Sequence, residues 1–311
     1  MPLLRFLPEA TNIDFIGARY YAFAVDGLLV LISIFAIAVY GFNLGIDFKG
    51  GVQMQVKYPT VIALDHVRSE VSGLGFNDGQ IQNIGGGTCD RPVNSCILIK
   101  VQPKPGQDGN AAKVQIQNKL GPSYTVESFQ VIGPKVSHEL FQGGVYATIL
   151  AIIAIAIWVA IRFEWQYGIA AAFCTGHDVF VTAGLFSVLH LDFTLTSIAA
   201  LLTLAGYSIN DTVVVFDRIR ENRRKYKRMA LSDLINLSTN QMLTRTILTS
   251  AATAITIIPL MMYVPVLRDF TGAILFGIVV GTYSSTYVAA ALLLYLPAPA
   301  GAIDTPAPAS P

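Results

Sequence analysis

The sequence predicts an α-helical polytopic membrane protein: six transmembrane helices, with a ferredoxin-like α/β external domain inserted between the first and the second. Three observations carry this. Of 311 residues, 53% are hydrophobic and only 13% charged, against roughly 25% charged in a soluble domain. Six stretches are apolar over the roughly 20 residues that a helix needs to cross a hydrocarbon core. Between the first and second lies a segment of ordinary soluble composition, residues 42–138. The net charge of +1 averages membrane and soluble parts, so it gives no argument for a nucleic-acid partner.

The spans are Tyr20–Tyr40, Leu140–Ile161, Tyr167–Leu189, Phe193–Phe216, Leu243–Val264 and Phe270–Leu296. The first is longer than a signal h-region of roughly 7–15 residues and lacks a small-residue cleavage site, so it reads as a retained span. Orientation follows from Lys and Arg in the short loops. Arg5, Arg19 and Arg162 mark one face, as do Arg218, Arg220, Arg223, Arg224, Lys225, Lys227 and Arg228. The loop around His190–Asp192 has no Lys or Arg, and the last loop has only Arg268. Both termini are thereby expected in the cytoplasm. The division is a cytoplasmic segment at 1–19, a first span at 20–41, an external domain at 42–138 and a five-helix bundle at 139–296. A cytoplasmic loop at 217–242 interrupts the bundle, and an Ala- and Pro-rich tail at 297–311 reads as disordered.

Within the external segment, Val52, Met54, Val56 and Tyr58 alternate with polar residues, as in a half-buried strand. Ile62–Leu74 sets Leu64, Val67, Val71 and Leu74 at helical spacing. Gln80–Ile84 and Cys96–Val101 read as strands, Ala111–Leu120 as a second helix and Tyr124–Ile132 as a last strand. The order βαββαβ suggests the ferredoxin-like arrangement. Gly85–Gly87 lacks the strand-to-helix context of a phosphate cradle and reads as a loop. Cys89 and Cys96 flank a turn-like stretch; they either form a disulfide closing a short hairpin or remain two free thiols. Cys174 reads as a small packing residue. The loop Asp217–Gln241 is charged and then amphipathic, with Leu231, Leu234, Ile235 and Leu237 on one side. It is expected at the membrane surface, its basic residues meeting anionic lipid.

An ionisable group inside a span costs about 2.5–3.5 kcal/mol and calls for a reason. Asp211 falls in the fourth span and Arg245 at matched depth in the fifth, which runs the opposite way. Two roles fit: a buried pair that locks two helices, or a proton carrier. Burial disfavours a charged carboxylate and a nearby guanidinium favours it, so a small movement of Arg245 would switch Asp211. His177 and Asp178 fall near the middle of the third span, without the ligand cluster of a metal site. Asp26, near the start of the first span, reads as interfacial. Glycines at 143, 144, 176, 184, 206, 272, 277 and 281 predict closely packed helices.

Two sets of residues carry a family resemblance. Leu44-Gly45-Ile46-Asp47-Phe48-Lys49-Gly50-Gly51 resembles the signature of the SecD/SecF translocation family, with Gly45, Asp47, Phe48, Gly50 and Gly51 as its motif. Gly176-His177-Asp178-Val179, the run from Tyr207 to Asn222, and Asn240-Gln241-Met242-Leu243-Thr244-Arg245-Thr246 resemble its SecF branch. The likeness covers about residues 12–296 in order. It implies an accessory subunit of the bacterial secretion machinery in the inner membrane, within the resistance–nodulation–division superfamily. The implied partners are SecD, the SecYEG channel with its SecA-driven preprotein, and membrane-insertion factors. It implies use of the proton-motive force late in export. Asp211 and Arg245 would conduct protons, with His177, Asp178, Asn210 and Thr212 in support. The coupling ion would be H⁺, with Na⁺ as the alternative, and no cofactor is expected.

Two rival functions use the same residues. A drug or lipid efflux half-transporter would want larger external domains than one of about 90 residues. A non-transporting scaffold of the translocon would keep its function without Asp211. An enzyme is disfavoured, since no nucleophile set or zinc motif is present.

Overall fold

The computed structural model describes residues 11–60, 63–84, 95–103, 107, 109–121, 123–264 and 267–297. In chain order, helix α1 (Arg19–Tyr40) is followed by a two-residue strand β1 (Asn43–Leu44) and a one-turn helix α2 (Ile46–Lys49). An α/β domain follows, made of β2 (Gly51–Lys57), α3 (Leu64–Ser72), β3 (Asn77–Ile84), β4 (Cys96–Gln102), α4 (Gly109–Leu120) and β5 (Thr125–Ile132). The chain then forms α5 (Pro134–Arg162), α6 (Trp165–Val188), a second two-residue strand β6 (Asp192–Phe193), α7 (Leu195–Lys225) and α8 (Leu231–Tyr263). The last long helix, α9 (Arg268–Tyr283), runs through a π-helical turn (Ser284–Ala289) into α10 (Ala290–Leu292). Six helices are long and apolar enough to cross a membrane among the described residues: α1, α5, α6, α7, α8 and the α9–α10 unit.

Period-2 alternation builds the sheet. Val52, Met54 and Val56 of β2 lie opposite Val101, Ile99 and Ile97 of β4, and all six are fully buried. Val67 and Val71 of α3, with Ala112 and Ile116 of α4, cover that face. All pairings are antiparallel and the strand order is β3-β4-β2-β5. Each helix crosses over one strand position, which is the connection pattern of the split βαβ motif. Gly85–Gly87 and Cys89 lie outside the described residues, so a Cys89–Cys96 bond falls there too; Cys96 is buried at the head of β4.

In the bundle, α6 and the α9–α10 unit lie at the centre, and α5 and α8 keep most of their apolar surface uncovered. Close approach of α1 to α6 depends on Gly184, where a Cβ atom would stand 2.9 Å from the Ser33 backbone Cα. That contact turns the buried face of α1, which includes Ala22, Asp26, Ser33 and Ala36, against α6.

The segment 217–242 is not a surface loop. Helix α7 continues to Lys225 and α8 begins at Leu231, so only Tyr226–Ala230 is non-helical. Charge marks the end of an apolar window, but not the end of a helix. No proline interrupts residues 195–225, and Arg218 pairs with Glu221 one turn on at 2.6 Å. Leu234 and Ile235 are buried in the bundle core and do not face lipid headgroups. Across the hairpin the Asn222 side-chain amide donates to Ser238 Oγ (2.9 Å) and to Gln241 Oε1 (2.8 Å). Arg218 Nε donates to the same Gln241 oxygen.

Candidate functional site

Two polar constructions stand out against this apolar frame. The first is a seam between α6, α7, α8 and α9. Ser208, Asp211 and Thr212 occupy one face of α7 at i, i+3 and i+4, and all are buried. One Asp211 oxygen accepts a long bond from Thr249 Oγ1 of α8 (3.5 Å), and the other has no partner among the described residues. Thr212 donates back to the Ser208 carbonyl (3.2 Å). One turn before Asp211, the Tyr207 hydroxyl donates to Ser250 Oγ (3.0 Å), which shares a hydrogen bond with Thr282 Oγ1 (2.6 Å).

Deeper in the seam, Asp178 of α6 is held by three groups. His177 Nδ1 lies 3.0 Å from its Oδ1, while Ser208 Oγ (2.5 Å) and Ser284 Oγ (2.8 Å) donate to its Oδ2. Ser284 opens the π-helical turn, a feature that often accompanies functional positions in helices. Gly281 leaves room for this, since a Cβ there would stand 3.4 Å from Asp178 Oδ2. On the other side, His177 Nε2 faces Asp26 Oδ1 of α1 at 3.8 Å.

The second construction joins the α/β domain to the bundle. Strands β1 and β6 pair in parallel, Asn43 with Asp192 and Leu44 with Phe193. Gly45 N–H donates to the Phe193 carbonyl (2.8 Å). A Cβ at Gly45 would stand 2.6 Å from Thr194 Cγ2, so a larger residue there must displace that side chain. Asp47 Oδ2 accepts from the Leu195 N–H (3.0 Å), at the positive end of α7. Phe48 packs edge-on against Phe141 of α5 and tilted against Phe193. Gly50 takes φ +77°, which glycine adopts without strain. At Gly51 a Cβ would press on the Val101 carbonyl at 2.8 Å. Asp192 accepts from Asn43 (2.9 Å) and from Gln80 of β3, which ties the sheet edge to the same loop.

The residues singled out from sequence thus divide. Gly45, Asp47, Phe48, Gly50 and Gly51 belong to the joint; His177, Asp178, Asp211 and Thr212 belong to the seam. Two readings, of the Asp211–Arg245 pair and of Asp26, need correction. Asp211 and Arg245 do not form a buried pair: no ion pair joins them among the described residues, and Arg245 is exposed on the surface of the chain. Matched depth fixes height along two helices but leaves rotation open, and Arg245 turns into a cavity of about 510 Å³ with Trp158, Arg162, Asp217, Arg218 and Glu221. Asn210 is exposed, because one residue before Asp211 lies about 100° around the helix. Asp26 is not interfacial; it is 6% exposed and faces His177. Sequence reasoning named Ser208 and Ser250 only as part of the family likeness and passed over Thr282 and Ser284. The signal for the latter two is a hydroxyl in an apolar run, and most such hydroxyls bond their own helix.

Comparison with known proteins places these features in a family. Residues 112–298 match the family described as protein export membrane protein SecD/SecF, C-terminal. Residues 35–58 match the SecD/SecF GG motif, the stretch that forms the joint. The chain is 38% identical over 307 residues to the protein translocase subunit SecF of Rhodobacter capsulatus, covering 94% of this chain and 91% of that one. To the SecF of Cereibacter sphaeroides it is 40% identical over 301 residues, covering 94% and 92%. The crystal structure of SecDF, a translocon-associated membrane protein from Thermus thermophilus, superposes with a TM-score of 0.78 at 34% identity. That match covers 93% of this chain and 39% of the SecDF chain, so this chain spans about two fifths of it.

Proposed function

The chain belongs to the SecD/SecF family of protein export membrane proteins, on its SecF side, and from that premise we propose that it couples proton movement through its bundle to late steps of preprotein export. The observation that carries the proposal is the double engagement of α7. Its first residue bonds Asp47 in the joint, and its middle holds Asp211, buried and without an ion-pair partner among the described residues. A change of charge at Asp211 therefore acts on the same rigid helix that supports the α/β domain.

In this reading the protein sits in the bacterial inner membrane with both termini cytoplasmic, as the placement of Lys and Arg supports. The α/β domain then stands outside, where preprotein emerges. Arg245, facing its cavity, supplies a positive charge that favours the Asp211 carboxylate when it approaches and releases it when it withdraws. The coupling ion in this reading is H⁺, with Na⁺ as the alternative, and Thr249 Oγ1 is the side-chain donor to Asp211 among the described residues. One proton crossing 100 mV of potential releases about 2.3 kcal/mol, enough to bias such a movement.

SecD is the proposed partner. The solved SecDF chains are much longer than this one, and α5 and α8 leave apolar faces for further helices to cover. SecYEG, with SecA-driven preprotein, is the proposed setting. The test compares preprotein translocation into inverted vesicles holding this protein and SecD, with and without a proton gradient. Wild type is expected to gain from the gradient and Asp211→Asn to gain nothing at equal expression. Equal gains would leave Asp211 structural and favour a scaffold.

A further inference from the structure

Asp26, His177 and Asp178 form a cluster that the proposed role of Asp211 does not use. The cluster joins two helices, α1 and α6, inside the bundle. Asp178 is fully satisfied as a carboxylate, with His177 Nδ1, Ser208 Oγ and Ser284 Oγ around it. With Nδ1 donating its hydrogen to Asp178 Oδ1, Nε2 is the nitrogen left to gain or lose one.

Nε2 points at Asp26. Among the described residues it has no hydrogen-bond partner, and neither has either carboxylate oxygen of Asp26. His177 is 8% exposed and Asp26 6%. Without a proton, a lone pair would face a bare carboxylate in a water-poor interior, which leaves an uncompensated buried charge. The neighbours supply no relief. Cys174 of α6 and Tyr283 of α9 are the other titratable groups near Asp26, and Tyr287 stacks on Tyr283. The Tyr283 hydroxyl is committed to the Ala22 carbonyl (3.1 Å). Asp211 sits one turn beyond Ser208 on α7, and no Lys or Arg contributes to the charge around Asp26 or His177 among the described residues.

We propose that Asp26 and His177 form a second proton-binding site in the bundle, one proton residing on Nε2 or on the Asp26 carboxyl, with Asp178 positioning the imidazole. The balance is a simple transfer. The proton leaves Nε2 as Asp26 becomes a carboxylic acid, or returns to leave Asp26 charged beside an imidazolium. At 3.8 Å the two atoms are too far apart for a direct hydrogen bond. Transfer requires a bridging water, or an approach of α1 to α6 of about 1 Å. A metal ion is a poorer occupant, since no three His, Cys, Asp or Glu side chains converge as ligands among the described residues.

The site stands on its own geometry and needs neither a gradient nor cargo. Its test is equilibrium titration of the full chain in lipid nanodiscs with ¹⁵N-labelled histidine, the His177 signals being assigned with His177→Gln. Between about pH 4 and pH 9, Nε2 of His177 is expected to exchange one proton while Nδ1 stays protonated. Asp26→Asn is expected to weaken proton binding at His177 about tenfold or more, because the facing negative charge is lost. Asp211→Asn is expected to leave the midpoint in place. A His177 signal that does not move over the range overturns the proposal, as does a midpoint unchanged by Asp26→Asn. If Asp26→Asn does not fold, Asp26→Glu replaces it; moving the carboxyl by one methylene must shift the midpoint, and no shift overturns the proposal. Loss of gradient-driven translocation plays no part in this readout, so the coupling role of Asp211 and this site stand or fall separately.

Discussion

At the scale of single residues, the buried carboxylates differ in what surrounds them. Among the described residues Asp178 has three partners, Asp211 one long one and Asp26 none. The groups that are least satisfied are the ones whose protonation can change at small structural cost. Among the described residues Arg245 makes no two-pronged contact with a carboxylate, so its charge matters more than its planar fork. Arg245→Lys is therefore expected to keep most of the gradient-driven gain in translocation, and Arg245→Ala to lose it, in the same vesicle assay. Outside the spans, Asp14 accepts from the Gly17 N–H (2.8 Å) and from the Asn236 amide (2.8 Å). These bonds hold its carboxyl below the usual range. The sign follows: a lowered folded-state value adds stability above the ordinary carboxylate range, and the contribution is lost as pH falls through the folded value. Limited proteolysis near residues 11–17 should accordingly quicken on acidification, and Asp14→Ala should show that faster cleavage already at neutral pH.

At the scale of elements, the family motifs turn out to be the two halves of shared contacts. Arg218 and Asn222 in the fourth-span motif meet Gln241 in the fifth-span one, and both close the α7–α8 hairpin. The N-terminal segment is clipped to α8 in the same manner. Asn240 accepts from Ile13 N–H and donates to the Ile13 carbonyl, while Asn236 accepts from Ile16 N–H. Between α1 and α6, Gly184 carries the close approach, with Ser33 Cα 2.9 Å from a notional Cβ. Backbone cannot give way cheaply, so Gly184→Leu is expected to force the helices apart. The cost should be about 1–3 kcal/mol, read as a lower unfolding temperature in detergent and as exposure of Asp26. The spans and the sheet were legible because apolar length and period-2 alternation are local properties. The helical hairpin at 217–242 was not, since hydropathy registers where a bilayer would end and not where hydrogen bonding stops.

At the scale of the whole molecule, the joint decides what moves with what. Sequence order attaches the α/β domain to α1 and α5, its covalent neighbours. The structure adds α7, through Asp47 on the Leu195 N–H, and the loop before it, through β1–β6 and Gln80 on Asp192. Asp47→Ala should leave the bundle and the sheet folded while loosening the joint. Hydrogen exchange is expected to rise at residues 43–49 and 192–196 and to stay unchanged in β2 and β4; equal rises in the sheet would show instead that the domain itself had been destabilised. By itself the sequence determined the apolar spans, the alternating strands, the acidic and basic residues inside the membrane and the family. Those follow from composition, period and motif, each readable within a few turns of chain. Tertiary structure alone decided that Arg245 lines a cavity and makes no ion pair with Asp211 among the described residues, that Asp26 faces His177, and that Asp47 caps a helix 148 residues away. Each of these depends on the rotation of one helix about its axis relative to another, which is set by packing between distant segments and has no local trace.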